Sequence, residues 1–147
     1  MAAQVRRGIE WVHQNLSRDI VVFGHSSGGH LTACALTRLD FVRQALVVSG
    51  VYDLLPVRLS ARNAYVRLDE KLEHEYSPIR HAERIKANVT VSWAEHDNEE
   101  FRRQSQAFAA RLGAPTFVGK GFNHFDFLET LADARSPLGR AELNMLQ

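Results

Sequence analysis

Cysteine is nearly absent from the 147 residues: Cys34 stands alone, so no disulfide framework can form within the chain. Charge of one sign is missing too. Eighteen Lys and Arg face seventeen Asp and Glu, a formal net charge of +1. Without a basic excess to neutralise phosphates, an electrostatic nucleic-acid binder is not expected. No apolar run approaches the length of a membrane span. Arg6 and Arg7 near the amino terminus are not followed by the apolar core of a signal peptide. Proline is scarce, at four residues, and no internal repeat or low-complexity stretch is present. The expectation left by these absences is one soluble, cytoplasmic domain spanning residues 1–147, with a hydrophobic core of its own.

The apolar pattern alternates between two periods. Val5, Ile9, Val12 and Leu16 recur at helical spacing over residues 2–16. Ile20-Val21-Val22-Phe23 reads as a strand buried on both faces, and Leu31, Cys34, Ala35 and Leu39 as the helix after it. Ala45–Val48 predicts a second strand. Residues 54–86 are less regular, with a polar helical stretch around Ala61–Glu75. Val89–Trp93 predicts a third strand and Glu99–Leu112 a helix stopped by Gly113 and Pro115. Thr116–Val118 predicts a fourth strand, with a helix around Leu128 and Leu131 after it. Ser136-Pro137 reads as the cap of a last helix to Leu146. Strands alternating with helices predict an α/β fold with a mostly parallel sheet of about four strands. Chemistry in such sheets gathers at the carboxyl ends of the strands.

Gly24-His25-Ser26-Ser27-Gly28 is a G-x-S-x-G motif lying between a predicted strand and a predicted helix. A serine there stands on a sharp turn, with its hydroxyl clear of the backbone. Gly24 and Gly28 are expected because a side chain at either place would collide with the neighbouring strand or helix. The helix that opens here aims its first N–H groups, including that of Ser27, at the place where an oxyanion would form. A serine nucleophile needs a base, and the base an orienting acid. Among seven histidines, only His96 and His124 lie in loops after late strands. His124 is preferred as the base, and His96 reads as a surface residue. Asp97 follows the third strand. The order Ser26, Asp97, His124 is the one used in α/β-hydrolases. Asp53, after the second strand, is a rival acid whose plainer reading is a turn or cap residue. Asp126 reads as a helix N-terminal charge. His25 and His30 are five apart, there is no H-E-x-x-H and no paired cysteine, so neither a metal nor another cofactor is called for. Cys34, Trp11 and Trp93 read as packing residues. Phe122, Phe125 and Phe127 line either a substrate pocket or the core beside it.

These segments resemble a known family. Gly24-His25-Ser26-Ser27-Gly28-Gly29-His30-Leu31 is similar to the elbow of kynurenine formamidase (arylformamidase) and related small esterases. Val48–Leu54, Glu95–Ser105, Asn123-His124-Phe125-Asp126 and Ser136–Arg140 resemble the family's later segments. The resemblance implies an α/β-hydrolase fold with Ser26 as nucleophile, Asp97 as acid and His124 as base. It also implies a small amide or ester as substrate. The family's strands before the nucleophile, and its H-G-G-type oxyanion loop, have no counterpart in the 25 residues ahead of Ser26. The chain is therefore expected to be a partial hydrolase fold lacking the amino-terminal strands. A catalytically weak assembly unit is the alternative to an active hydrolase. The missing neighbour would leave the nucleophile strand as an open edge without charge, proline or bulge-forming glycine, and a homodimer through that edge is expected.

Overall fold

The computed structural model describes residues 1–147. Four strands form one parallel sheet in the order β1-β2-β3-β4, with β1 Val21–His25, β2 Gln44–Val48, β3 Asn88–Ala94 and β4 Thr116–Gly119. Each strand lies within a residue or two of its apolar run, and β1 continues through Gly24 to His25. The alternation of side chains sorts β2 into two cores. Ala45 and Val47 join Ala33, Leu36, Val91 and Phe108 on one face. Leu46 and Val48 join Ala94, Phe127 and Leu138 on the other.

The first face is covered by α2 (Ser27–Leu36) and α6 (Glu99–Leu112), with Ile9 of α1 (Ala2–Asn15) packed beside them. The second is covered by α7 (Asp126–Glu129) and α8 (Pro137–Met145). Local chemistry sets the ends of these helices. Asn98 caps α6 by accepting from the Phe101 N–H at 2.9 Å, and Gly113 ends it at φ 63. The Ser136 hydroxyl accepts from the Gly139 N–H at 2.8 Å, as its position before Pro137 predicts.

Three expectations are corrected. The polar helix around Ala61–Glu75 is two short helices, α4 (Asn63–Val66) and α5 (Glu70–Glu75). Arg67 turns left-handed between them (φ 57), and the Asn63 side chain binds both backbone groups of Leu68. A further short helix, α3 (Leu55–Leu59), and a 3-10 segment, Pro78–Arg84, flank this pair. Trp11 is 56% exposed rather than packed, because α1 meets the fold on the side of Ile9 and of His13, whose ring stacks on Phe41, and has no fully buried residue. Val21, Val22 and Phe23 are half-buried rather than covered on both faces, because β1 is an edge strand paired only with β2. No helix is long and apolar enough to cross a membrane.

Candidate functional site

Parallel register carries all the strand ends to one side of the sheet, and four loops meet there. The ladder continues beyond the strands: the Ser26 N–H donates to Val48 O and the Ser49 N–H to Ser92 O, each at 2.9 Å. Ser26 is thereby fixed at the turn between β1 and α2 with φ 56, a region that L side chains rarely occupy. Such strain costs about 1–3 kcal/mol and persists where the surroundings over-determine it. Gly24 is required by close approach, since a Cβ there would strike the Gly28 carbonyl and the Thr32 hydroxyl. The expectation for Gly28 is corrected: a Cβ on it would meet nothing within 4 Å. Gly29 is the tighter of the two, lying between the Gly24 and Val48 carbonyls.

Ser26, His124 and Asp97 come together. The Ser26 hydroxyl lies 2.9 Å from His124 Nε2, and His124 Nδ1 lies 2.6 Å from Asp97 Oδ1. With Nδ1–H donating to the carboxylate, Nε2 is left as the acceptor for the serine proton. The Asp97 side chain is fully buried and His124 is 18% exposed. The other carboxylate oxygen, Oδ2, accepts from the Ser49 hydroxyl at 2.6 Å and from the Ala94 N–H at 2.9 Å. Asp53 is elsewhere. It accepts from the Leu55 N–H at 3.0 Å and lies 3.8 Å from the Arg80 guanidinium, the work of a turn residue. His96 is exposed and Asp126 opens α7. Ser27 is the first residue of α2, so its N–H has no partner one turn earlier in that helix.

Ser49 and Phe101, not singled out by the sequence, join the surroundings. Ser49 is held at φ 49 under Asp97. Phe101 stacks on the His124 ring at 4.8 Å, and also lines a hollow of ≈ 190 Å³ with Val51, Pro56, Val57 and Arg62. Of the three late phenylalanines, Phe127 is core, Phe122 packs against that core and Phe125 is 75% exposed beside His124. His30 donates from Nδ1 to Val51 O at 2.7 Å, and burial holds it below the ordinary histidine range. Cys34 is core; burial pushes its thiol up to about 12, so it carries no thiolate at neutral pH. No group of three or more His, Cys, Asp and Glu side chains is placed to hold a metal ion.

Known proteins share this arrangement of elements. The profile of the Prolyl oligopeptidase family matches residues 9–128. A kynurenine formamidase of Danio rerio is 31% identical over 99% of this chain and 56% of its own length. The chain thus spans about half the length of the curated relatives it matches. A proposed thioesterase from Silicibacter superposes with a TM-score of 0.86 at 26% identity, over 93% of this chain and 55% of that one. An acylaminoacyl peptidase of Pyrococcus horikoshii superposes with a TM-score of 0.70 at 20% identity, over 99% of this chain and 26% of that one.

Proposed function

Since the chain belongs to the Prolyl oligopeptidase family of α/β-hydrolases, we propose that it is a serine hydrolase of small amides and esters, with aryl formamides as the leading amide class. The observation that carries this reading is the unbroken line of hydrogen bonds from Ser26 through His124 to Asp97. In this reading Ser26 Oγ attacks the carbonyl carbon while His124 Nε2 takes its proton. Asp97 keeps the imidazole in the Nδ1–H tautomer and stabilises the imidazolium. The tetrahedral oxyanion is met by the N–H of Ser27. His124 then protonates the leaving amine or alcohol as the C–N or C–O bond breaks. Water, deprotonated by His124, attacks the acyl carbon; the acyl–Oγ bond breaks and His124 returns the proton to Ser26 Oγ as the free acid leaves. The formamide preference comes from the relatives described as kynurenine formamidases.

In this reading the Ser27 N–H, at the start of α2, is the assigned oxyanion donor. A donor of this kind is worth about 10²–10³ in rate. The test is labelling by a fluorophosphonate probe together with turnover of p-nitrophenyl acetate and an N-formyl arylamine. Labelling that survives Ser26→Ala would refute the assignment.

The second reading, an assembly unit, draws on the outer edge of β1. Its backbone is unpaired on that side, and an apolar groove of ≈ 400 Å³ between Val5, Ile9 and Val12 of α1 and Ile20–Phe23 runs along it. Two copies meeting there antiparallel would make one sheet of about eight strands, an ordinary size. Sedimentation equilibrium at micromolar concentration decides between dimer and monomer, and absence of labelling and turnover together with a dimer would favour this second reading over the first.

A further inference from the structure

We propose that His25 is a positioning residue that ties the histidine loop to the nucleophile turn. The inference rests on the reading of Ser26, His124 and Asp97 given above. His25 Nε2 lies 2.9 Å from the backbone oxygen of His124, which can only accept, so Nε2 carries the proton. The bond spans 99 positions of sequence and joins the residue before Ser26 to the residue that faces it. Other carbonyls of this loop are held within the backbone: Phe122 O accepts from the His96 N–H, Asn123 O from the Phe127 N–H and Phe125 O from the Leu128 N–H. The His124 carbonyl instead is held by a side chain, that of His25. The rings also touch, with centroids 4.6 Å apart and planes tilted by 45°, while Phe101 stacks on the same imidazole at 4.8 Å. His124 is therefore fixed at its carboxylate bond, at its ring and at its main chain. The last of these constraints sets its distance to Ser26.

The charge state fits the task. His124 gains a proton during the reaction, and a cation at His25 would oppose it at this range. The titratable groups that face His25 are His124 and Asp97. Burial, then the neighbouring His124, hold His25 below the ordinary histidine range, against the opposing pull of its carbonyl bond and of Asp97. A neutral donor is what the place requires, and a histidine held neutral supplies it.

The test uses two variants of the whole chain. His25→Gln keeps an N–H in reach of the carbonyl, and His25→Phe keeps a ring and removes the donor. Thermal unfolding first establishes that both fold. The expected result is that His25→Phe reacts with a fluorophosphonate about 10- to 100-fold more slowly, the scale set by small misplacements of a reacting group. With p-nitrophenyl acetate the loss should fall on kcat and leave KM nearly unchanged, and His25→Gln should recover most of the rate. A second readout needs no activity. The downfield proton resonance of the His124 Nδ1–H bonded to Asp97 should persist in His25→Gln and broaden away in His25→Phe. Wild-type rates in His25→Phe, equal losses in both variants, or one unchanged resonance in all three proteins would each overturn the proposal. Failure of the wild-type protein to label would instead refute Ser26 as nucleophile, and the resonance alone would then decide the role of His25.

Discussion

At the carboxyl ends of β2 and β3, Ser49, Ser92, Ala94 and Asp97 are all buried, and both oxygens of the Asp97 carboxylate have hydrogen-bonded partners. Along the β1 flank, Val21, Val22 and Phe23 are half-buried, α1 has no buried residue, and Trp11 and Leu16 face solvent. Both regions belong to strands of the same parallel sheet with a helix beside them. They differ in how many elements surround them: β2 and β3 have strands on both sides and helices on both faces, whereas β1 has one neighbour. A site that must hold atoms within a fraction of an ångström belongs where neighbours over-determine every side chain. The flank lacks that over-determination, with β1 paired on one side only.

On the proposed assignment, the most severe way to break the first region is at its buried carboxylate. Asp97→Asn should lower kcat by about 10⁴, the scale of misorienting the base in a serine hydrolase. Asp53→Asn should leave kcat within about threefold, since its carboxylate serves a turn and an ion pair of small worth. Steady-state kinetics on p-nitrophenyl acetate compares the two, and a larger loss at Asp53 would reverse the assignment of the acid.

Packing gives the next contrast. Phe108 is fully buried and stacked on Tyr52 at 4.2 Å, so Phe108→Ala should cost about 3–5 kcal/mol. Val22 on β1 is half-buried, so Val22→Ala should cost about 1 kcal/mol, less than a fully buried valine. Urea denaturation of both variants measures the gap. Equal losses would mean that β1 is covered in solution as closely as the interior.

How far the sequence reaches follows the same division. The elbow, the four strands, the stop at Gly113 and the cap at Ser136 are legible because each depends on turn chemistry or periodicity within a few residues. Ser49 and His25 are not, because their roles arise from register. Pairing of His25 with Val48 and of Val48 with Ser92 brings position 49 beside the loop that carries Asp97, and no local pattern encodes that. The break at Arg67 depends on a left-handed residue that periodicity cannot register. Gly28 misleads for a related reason. Its place in the motif suggests a steric need, but the space around it is open and the tight contacts belong to Gly24 and Gly29.

Acid should separate wild type from a variant at the edge of the site. Burial lowers His30 from its ordinary 6.5, against the opposing bond to Val51 O. The unfolded chain then binds more protons than the native one as pH falls below the ordinary value. This contribution to stability is present above that value and is lost as pH falls through the lowered one. His25, shifted in the same direction, adds to the loss. His30→Asn keeps an N–H near the position of Nδ1 and removes the titration. Its urea midpoint should change less between about pH 7.5 and about pH 5.5 than that of wild type, on either side of the ordinary histidine range. An identical pH dependence would mean that His30 does not titrate differently on folding.

The smallest effect is expected at Trp11, and its smallness is what makes it informative. A tryptophan buries more area than any other side chain when it is covered, so removing a covered one costs about 3–5 kcal/mol. Trp11 is instead 56% exposed on a helix whose contact with the fold runs through Ile9 and His13. Its loss from an isolated chain removes little packing, and Trp11→Ala should change stability by no more than about 0.5 kcal/mol, as surface substitutions do. The same helix borders the apolar groove beside the unpaired β1 edge. If a second copy or another polypeptide lies along that edge and reaches across α1, the indole is covered in solution and the cost rises above about 1 kcal/mol. That cost would then depend on protein concentration, because stability gained by association follows mass action. Urea unfolding of Trp11→Ala and wild type over a range of protein concentrations distinguishes the cases. A small, concentration-independent difference shows the outer face of α1 to be free surface. A large one that grows with concentration shows that the β1 flank ends in an interface.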